Sequence, residues 1–230
     1  MRKHVNAILA TAEPSGQLEA LERLMRQAQE LDVQAVAVLG NLAARSLSPR
    51  DYGRFFSLLA QTRLPTFYVP GPDDGPLALY LQEAAQIEVI YPYLHGIHGT
   101  FALAPGYLVF TGMGGTITDD PQQAREEEET LRYPAWEVAY RLKFLAELKD
   151  YEKVFLFYTP PYHKGFHEAG SPTLAELIKS YNPRLVLVSG PERKRELLGT
   201  SAIVAPGSLA KGEYSIIDLQ HQTVEERKLE

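Results

Sequence analysis

The sequence predicts an α/β domain built from two mixed β-sheets packed face to face, with helices on the outside of each. Three observations lead there. The first part of the chain alternates uncharged, strand-like runs with amphipathic helical stretches, the pattern of a parallel sheet covered by helices. The middle changes to short strand-like runs joined by Gly and Pro turns, which suggests antiparallel pairing and a second sheet. The last part returns to alternation. With 230 residues, 45% of them hydrophobic, the chain is long enough for one large core. It is read as a single domain over residues 1–230, without repeat, linker or low-complexity segment.

The elements follow in order. Val5–Ala12 reads as a buried strand. Gln17–Leu31 reads as a helix with Leu18, Leu21, Leu24, Met25 and Ala28 on one face. Ala35–Leu39 is a strand, and Pro49–Gln61 a helix with Ser48 as N-cap and Pro49 at the first helical position. Pro65–Val69 is a third strand and Pro76–Ala85 a third helix. Ile87–Ile90, His95–Leu103 and Leu108–Thr111 read as short strands. A long helical region is predicted over Gln122–Lys149, opening with the acidic run Glu126–Glu129 and broken or kinked at Pro134. Val154–Tyr158, Leu185–Ser189, Ser201–Val204 and Tyr214–Leu219 are strands, and Thr173–Ser180 is a helix.

Composition excludes several classes. There are no cysteines, so disulfides, thiolate metal sites and cysteine nucleophiles are out. The net charge of −6, with no Lys/Arg block, offers no electrostatic footprint for nucleic acid. Met1-Arg2-Lys3-His4 followed by an apolar run invites comparison with a signal peptide. Glu13 and Pro14 end that run and no small-residue cleavage site follows, so a first strand is the better reading. No stretch approaches the ~20 apolar residues that span a bilayer. The expectation is a soluble, cytoplasmic protein that binds neither nucleic acid nor membrane. Three Asn, three Met and no Cys give a thermophile-like composition.

Sites in such sheets form in loops at the carboxyl ends of the strands. Here those loops are Glu13–Gln17, Gly40–Leu42, Pro70–Gly75, Tyr158–Tyr162, Ser189–Arg193 and Ala205–Ser208. They are rich in Gly and Pro and poor in catalytic chemistry. None is a P-loop, a G-x-G-x-x-G or a serine nucleophile elbow. Gly112-Met113-Gly114-Gly115 could offer backbone N–H groups to a phosphate, but reads first as a tight turn. His163 and His167 stand four apart, as helical metal ligands do, yet Gly165 between them favours a polar loop. His95 and His98 read as structural. Asp119-Asp120, before Pro121, reads as an exposed turn with a helix cap.

Taken together, the loops resemble those of the calcineurin-like metallophosphoesterases, in particular the small bacterial and archaeal branch. The stretches that carry the resemblance are TFYVPGPDDGP over Thr66–Pro76, TPPYHKG over Thr159–Gly165, and NPRLVLVSG, VAPGSL and GEYSIIDL within Tyr181–Leu219. It runs from the first strand to about Leu219 and is weakest in the middle. It implies a four-layer αββα sandwich. It also implies two divalent metals that activate water against a phosphate ester, held by carboxylate and imidazole ligands from these loops.

This chain departs from that ligand pattern at nearly every position. By the resemblance, Glu13 stands for the first Asp, Ser15 for its His, and Asn41 for the bridging Asp. Pro72 stands for the metal-binding Asn and Asp73 for the catalytic His, with Asp74 beside it. Tyr158 stands for a lone His, and Pro191 and Arg193 for the last two His residues. Proline donates nothing, Arg cannot ligate, and a neutral Asn makes a poor bridge between two dications. Glu13, Asn41 and Asp73 remain as weak metal candidates, suited to oxygen-seeking Ca, Mg or Mn.

Two functions compete. One is a binding or regulatory protein with a dismantled dinuclear site, its partner a small phosphate-containing ligand or a protein. The other is a phosphoesterase with non-standard ligands, its catalytic candidates Asp73, Asp74, His163 and His167. A self-associating structural role, with the pocket filled in, is a blander variant of the first, and homo-oligomerisation stays open. The resemblance further implies a Glu13–Arg193 ion pair at the place of the first metal, and Tyr158 packed on Pro72 or Pro191 at the second.

Overall fold

A computed structural model describes residues 4–43, 49–120, 122–123 and 130–229; of the helical residues 49 and 50 only the backbone is described. Two six-stranded mixed sheets form the centre. The first contains β1 (Ala7–Ala12), β2 (Ala35–Leu39), β3 (Thr66–Val69), β4 (Leu94–Gly96), β13 (Glu213–Asp218) and β14 (Thr223–Lys228), in the order β14-β13-β1-β2-β3-β4. The second contains β5 (Phe101–Ala104), β6 (Leu108–Met113), β9 (Lys153–Phe157), β10 (Leu185–Val188), β11 (Lys194–Leu198) and β12 (Ser201–Ala205), in the order β11-β12-β10-β9-β6-β5. A small parallel pair, β7 (Thr116–Thr118) and β8 (Arg132–Pro134), stands apart.

Strands β1 to β4 run parallel, as do β6, β9, β10 and β12, so their carboxyl ends are gathered. The helices α1 (Leu18–Glu30), α2 (Pro49–Leu59) and α3 (Leu77–Glu88) supply crossovers of the first sheet, and α4 (Ala135–Arg141) and α5 (Pro172–Tyr181) belong to the second.

Strand side chains alternate between two buried environments, which is why the strands read as continuous apolar runs. In β2, Ala35, Ala37 and Leu39 belong to the cluster between the sheets, while Val36 and Val38 belong to the cluster that includes α1 and α2. Phe67 of β3 stacks on Phe110 of β6 with ring centroids 3.7 Å apart, tying the two sheets together. The predicted face of α1 is the buried one: Ala20, Leu21, Leu24, Met25 and Ala28 lie inside, and Leu18 packs alongside.

Three expectations are corrected. Ile87–Ile90 is not a strand: α3 runs through Glu88, and Val89 still donates to Ala85 O as its cap. The preceding Leu-Ala-rich turns carry the helix into that β-branched run. The region from Gln122 is not one helix. Pro134 ends β8 and sits in extended conformation as the N-cap of α4, so it starts a short helix instead of kinking a long one. A 3-10 stretch, Leu142–Ala146, follows. His95–Leu103 splits into β4 and β5 on different sheets. Strands β11 and β14, both heavily charged, carry too weak an apolar signal to be read from sequence. Ser48, Pro121 and Glu126–Glu129 lie outside the described residues.

Candidate functional site

The six Gly/Pro loops meet at the carboxyl ends of the parallel strands. Backbone bonds lace them together. Glu13 N donates to Leu39 O at 2.9 Å, Ser15 N to Asn41 O at 2.8 Å, Gly40 N to Val69 O at 2.9 Å and Ser189 N to Tyr158 O at 3.1 Å. Gly115 N donates to Pro70 O at 2.8 Å, and Ala210 N to Glu13 O at 3.2 Å. Two glycines permit this density. A Cβ on Gly40 would lie 1.8 Å from Gly71 N, and one on Gly71 would lie 2.1 Å from Asn41 Oδ1.

Glu13 and Ser15 both adopt left-handed backbone, with φ of 48° and 47°. That conformation is uncommon outside glycine and concentrates at functional loops. It turns the Glu13 side chain towards the second sheet. There Tyr158 Oη donates to Glu13 Oε1 at 2.9 Å and Ser189 Oγ donates to the same oxygen at 2.8 Å. Oε2 has no hydrogen-bond donor among the described residues. Burial, with Glu13 next in effect, pushes the Tyr158 phenol well above its ordinary range, so it stays a donor.

Asn41 and Asp73 form a reciprocal pair: Asp73 N donates to Asn41 Oδ1 at 2.8 Å, and Asn41 Nδ2 donates to Asp73 Oδ2 at 3.2 Å. Asp74 is fully buried. Its carboxyl accepts from Leu42 N and Ala43 N, both at 2.8 Å, and from Gly71 N at 2.7 Å. It therefore clamps the second loop to the third and is turned away from the solvent face, which removes it from the catalytic candidates. Burial outweighs the three N–H donors and lifts its pKa to about 6.

Arg193 does not pair with Glu13. Its guanidinium reaches Glu226 at 3.3 Å and Arg227 O at 3.0 Å, on β14, with Glu213 at 4.0 Å. The reason lies in the edge of the first sheet: β14 supplies the Glu226 carboxylate and the Arg227 carbonyl within reach of Arg193, while two hydroxyls already serve Glu13.

A cleft of about 400 Å³ opens over Glu13. Tyr158, Thr159, His167, Ser189, Pro191, Ser208 and Lys211 line it with Glu13. His163 and His167 sit on a tight turn, not a helix, with His167 N donating to His163 O at 3.0 Å. Only His167 joins the cleft, and its Nδ1 is buried without a partner among the described residues. Sequence reasoning misses Ser189, Ser208 and Lys211 as individual site residues; Ser189 and Ser208 carry a signal in their loops after β10 and β12, whereas Lys211 closes a 3-10 turn and carries none. A larger cleft, about 620 Å³, lies at the opposite ends of the strands beside Arg63, Tyr93 and His95, away from these loops.

The remaining motifs are structural. His98 accepts from Gly114 N at Nδ1 (3.1 Å) and meets Tyr133 Oη at Nε2 (3.1 Å). Gly112 belongs to β6, where a Cβ would strike Leu156 O at 1.8 Å; Gly115 makes the expected positive-φ turn. Asp119 does cap a helix, but a distant one: it accepts from Ser171 Oγ at 2.5 Å and Thr173 N at 3.2 Å, at the start of α5.

The donor set can be tested against two divalent metals. Among the described residues, no group of three or more His, Asp or Glu is placed to hold a metal ion. Glu13 shares one oxygen with two hydroxyls, Asn41 is taken up by Asp73, and Arg193 faces another sheet edge. These residues do not fit a dinuclear centre.

Known proteins agree with the architecture. A solved structure of TT1561 from Thermus thermophilus is 49% identical, covers 97% of this chain and 99% of its own, and superposes with a TM-score of 0.94. A second solved structure is 27% identical with a TM-score of 0.88, covering 98% of this chain and all of its own, 100%. A structure described as a novel archaeal phosphodiesterase is 11% identical over 97% of this chain and 99% of its own, with a TM-score of 0.56, and shares the fold alone. No curated protein matches. The sequence model described as metallophosphoesterase, calcineurin superfamily, matches residues 48–229. With the paired six-stranded sheets and the loops gathered at their carboxyl ends, that match over most of the chain establishes that it belongs to the calcineurin superfamily of metallophosphoesterases.

Proposed function

We propose that this chain uses the phosphoesterase scaffold to bind a small ligand in the Glu13 cleft without turning it over, in a regulatory role. One observation carries the reading. Glu13, the sole carboxylate at a first-loop ligand position, is held by the Tyr158 and Ser189 hydroxyls, and among the described residues no group of three His, Asp or Glu is gathered to hold a metal. Hydroxyl donors satisfy one oxygen of the anion and leave Oε2 for a ligand. A phosphate-containing ligand approaching Glu13 needs a cation between the two anions. Weakly held Mg²⁺, Ca²⁺ or Mn²⁺ on Oε2 suits that need, since these ions accept oxygen ligands readily.

The second reading, a metal-dependent phosphoesterase with unusual ligands, is favoured by one feature: the unpartnered Nδ1 of His167 in a cleft with Glu13. Elemental analysis of the purified protein, combined with turnover of a generic phosphodiester in added Mn²⁺, separates the two. Binding without turnover predicts no stoichiometric metal and no product, with Mg²⁺-dependent binding of inorganic phosphate lost in Glu13→Gln. Mn²⁺-dependent turnover abolished by His167→Ala would establish the enzyme instead.

A further inference from the structure

The two sheets end in four edge strands, and three of these are protected. Strand β14 carries Glu225, Glu226, Arg227 and Lys228; β11 carries Lys194, Arg195 and Glu196; β4 has only three residues. Charge and shortness are the usual means of preventing edge-to-edge pairing. Strand β5, one residue longer than β4, lacks the charge that guards β11 and β14. Its four residues, Phe101–Ala104, carry no charge, and Phe101 and Leu103 are 40% and 48% exposed.

An apolar surface continues from this edge. Phe101 packs against Phe144, ring centroids 5.1 Å apart. One and two helical turns earlier stand Tyr140 and Trp136, 61% and 65% exposed. The helix carrying them lies against the same edge: a Cβ on Gly99 would sit 3.2 Å from Arg141 Cδ. We propose that the β5 edge and the Trp136–Tyr140 stripe form a homodimer interface, in which β5 pairs antiparallel with β5 of a second copy.

Symmetry selects a second copy as the occupant. A two-fold axis perpendicular to the sheet, just beside the middle of an edge strand, lays a second copy of that strand antiparallel alongside it, so the row of free N–H and C=O groups is self-complementary. The same rotation brings the two aromatic stripes to the junction. The stripe's two cations are both engaged within the protomer. Arg141 is paired with Glu137 at 2.7 Å, and Lys143 lies 4.3 Å over the Tyr140 ring. Area is adequate as well. Taking a large side chain as 150–250 Å², the exposed parts of Phe101, Leu103, Trp136 and Tyr140 amount to about 450 Å². That is roughly half of the ~800 Å² per partner in a standard interface, before backbone and rim are added.

Sedimentation velocity on the full chain, from about 1 to about 100 µM, tests this across the range of ordinary dimer affinities. The wild type is expected to sediment as a concentration-dependent dimer. Leu103→Lys, which gives the edge its missing charge, and Trp136→Ala should each weaken the dimer about tenfold or more. Leu197→Lys, on the charged edge β11, should leave it intact. Far-UV circular dichroism checks that each variant is folded, and Trp136→Ala carries the test alone should Leu103→Lys fail to fold. A wild type that stays monomeric throughout overturns the proposal. So does a dimer indifferent to both Leu103→Lys and Trp136→Ala, or one dissociated by Leu197→Lys.

Discussion

Replacing Asp74 by Asn probes a competition between burial and hydrogen bonding at the centre of the site. Three backbone N–H groups at 2.7–2.8 Å favour the carboxylate. Complete burial favours the neutral acid, and it prevails, lifting the pKa from 3.8 to about 6. The unfolded chain binds this proton only near pH 3.8, whereas the folded chain binds it near 6. Between those values the folded state holds the extra proton, so stability rises as pH falls and is lost as pH climbs through about 6. The difference of about two pKa units corresponds to about 3 kcal/mol at ~1.4 kcal/mol per unit. Asn cannot titrate, so the variant lacks this dependence on pH. It also turns an N–H towards the three donors, costing about 1–3 kcal/mol. Urea unfolding followed by circular dichroism at pH 4 and pH 7.5 gives the comparison directly. Wild type should exceed Asp74→Asn by about 2 kcal/mol more at pH 4, just above the unfolded-state value, than at pH 7.5. A difference that is flat with pH, or larger at pH 7.5, would mean that the N–H donors match or outweigh burial.

Three further outcomes are expected. Burial, helped by Arg141, holds the pKa of His98 down at about 3, so the folded state disfavours its protonation; stability should be intact above pH 6.5 and fall by up to ~1.4 kcal/mol per unit below it. The acid limb of the stability curve should be shallower in His98→Asn than in the wild type. Tyr158→Phe removes one of the two hydroxyl donors to Glu13 and should cost about 1–2 kcal/mol in chemical denaturation, without altering the far-UV spectrum. Gly71→Ala would set a methyl 2.1 Å from Asn41 Oδ1 and 2.6 Å from Asn41 N; a loss above ~3 kcal/mol is expected, and a near-normal melting temperature would show that the loops can part at little cost.

Much of the architecture is legible in the sequence because its strands are short, uncharged and buried on both faces. Ala35–Leu39 and Leu185–Val188 could be little else, and α1 is marked by its apolar spacing. The order of the Gly/Pro loops after those strands carries both the superfamily and the end of the molecule where they meet. Local patterns fail where tertiary pairing decides. Strands β11 and β14 are polar and exist because a neighbouring edge offers hydrogen bonds. Ile87–Glu88 obeys the helix before it and not its own β-branched character. The destination of a long side chain depends on which partners the fold brings nearest. Correspondence with the family's ligand positions points Arg193 at Glu13, but the β14 carboxylate at 3.3 Å claims it, and Glu13 takes hydroxyls from residues 145 and 176 positions away along the chain. Similarly, Asp73 and Asp74 are neighbours of one type in the sequence, yet one faces Asn41 and the other is sealed inside by three N–H groups. Residue identity sets what each group can donate or accept; only the packing of the loops determines which group meets which, because that depends on distances no linear spacing encodes.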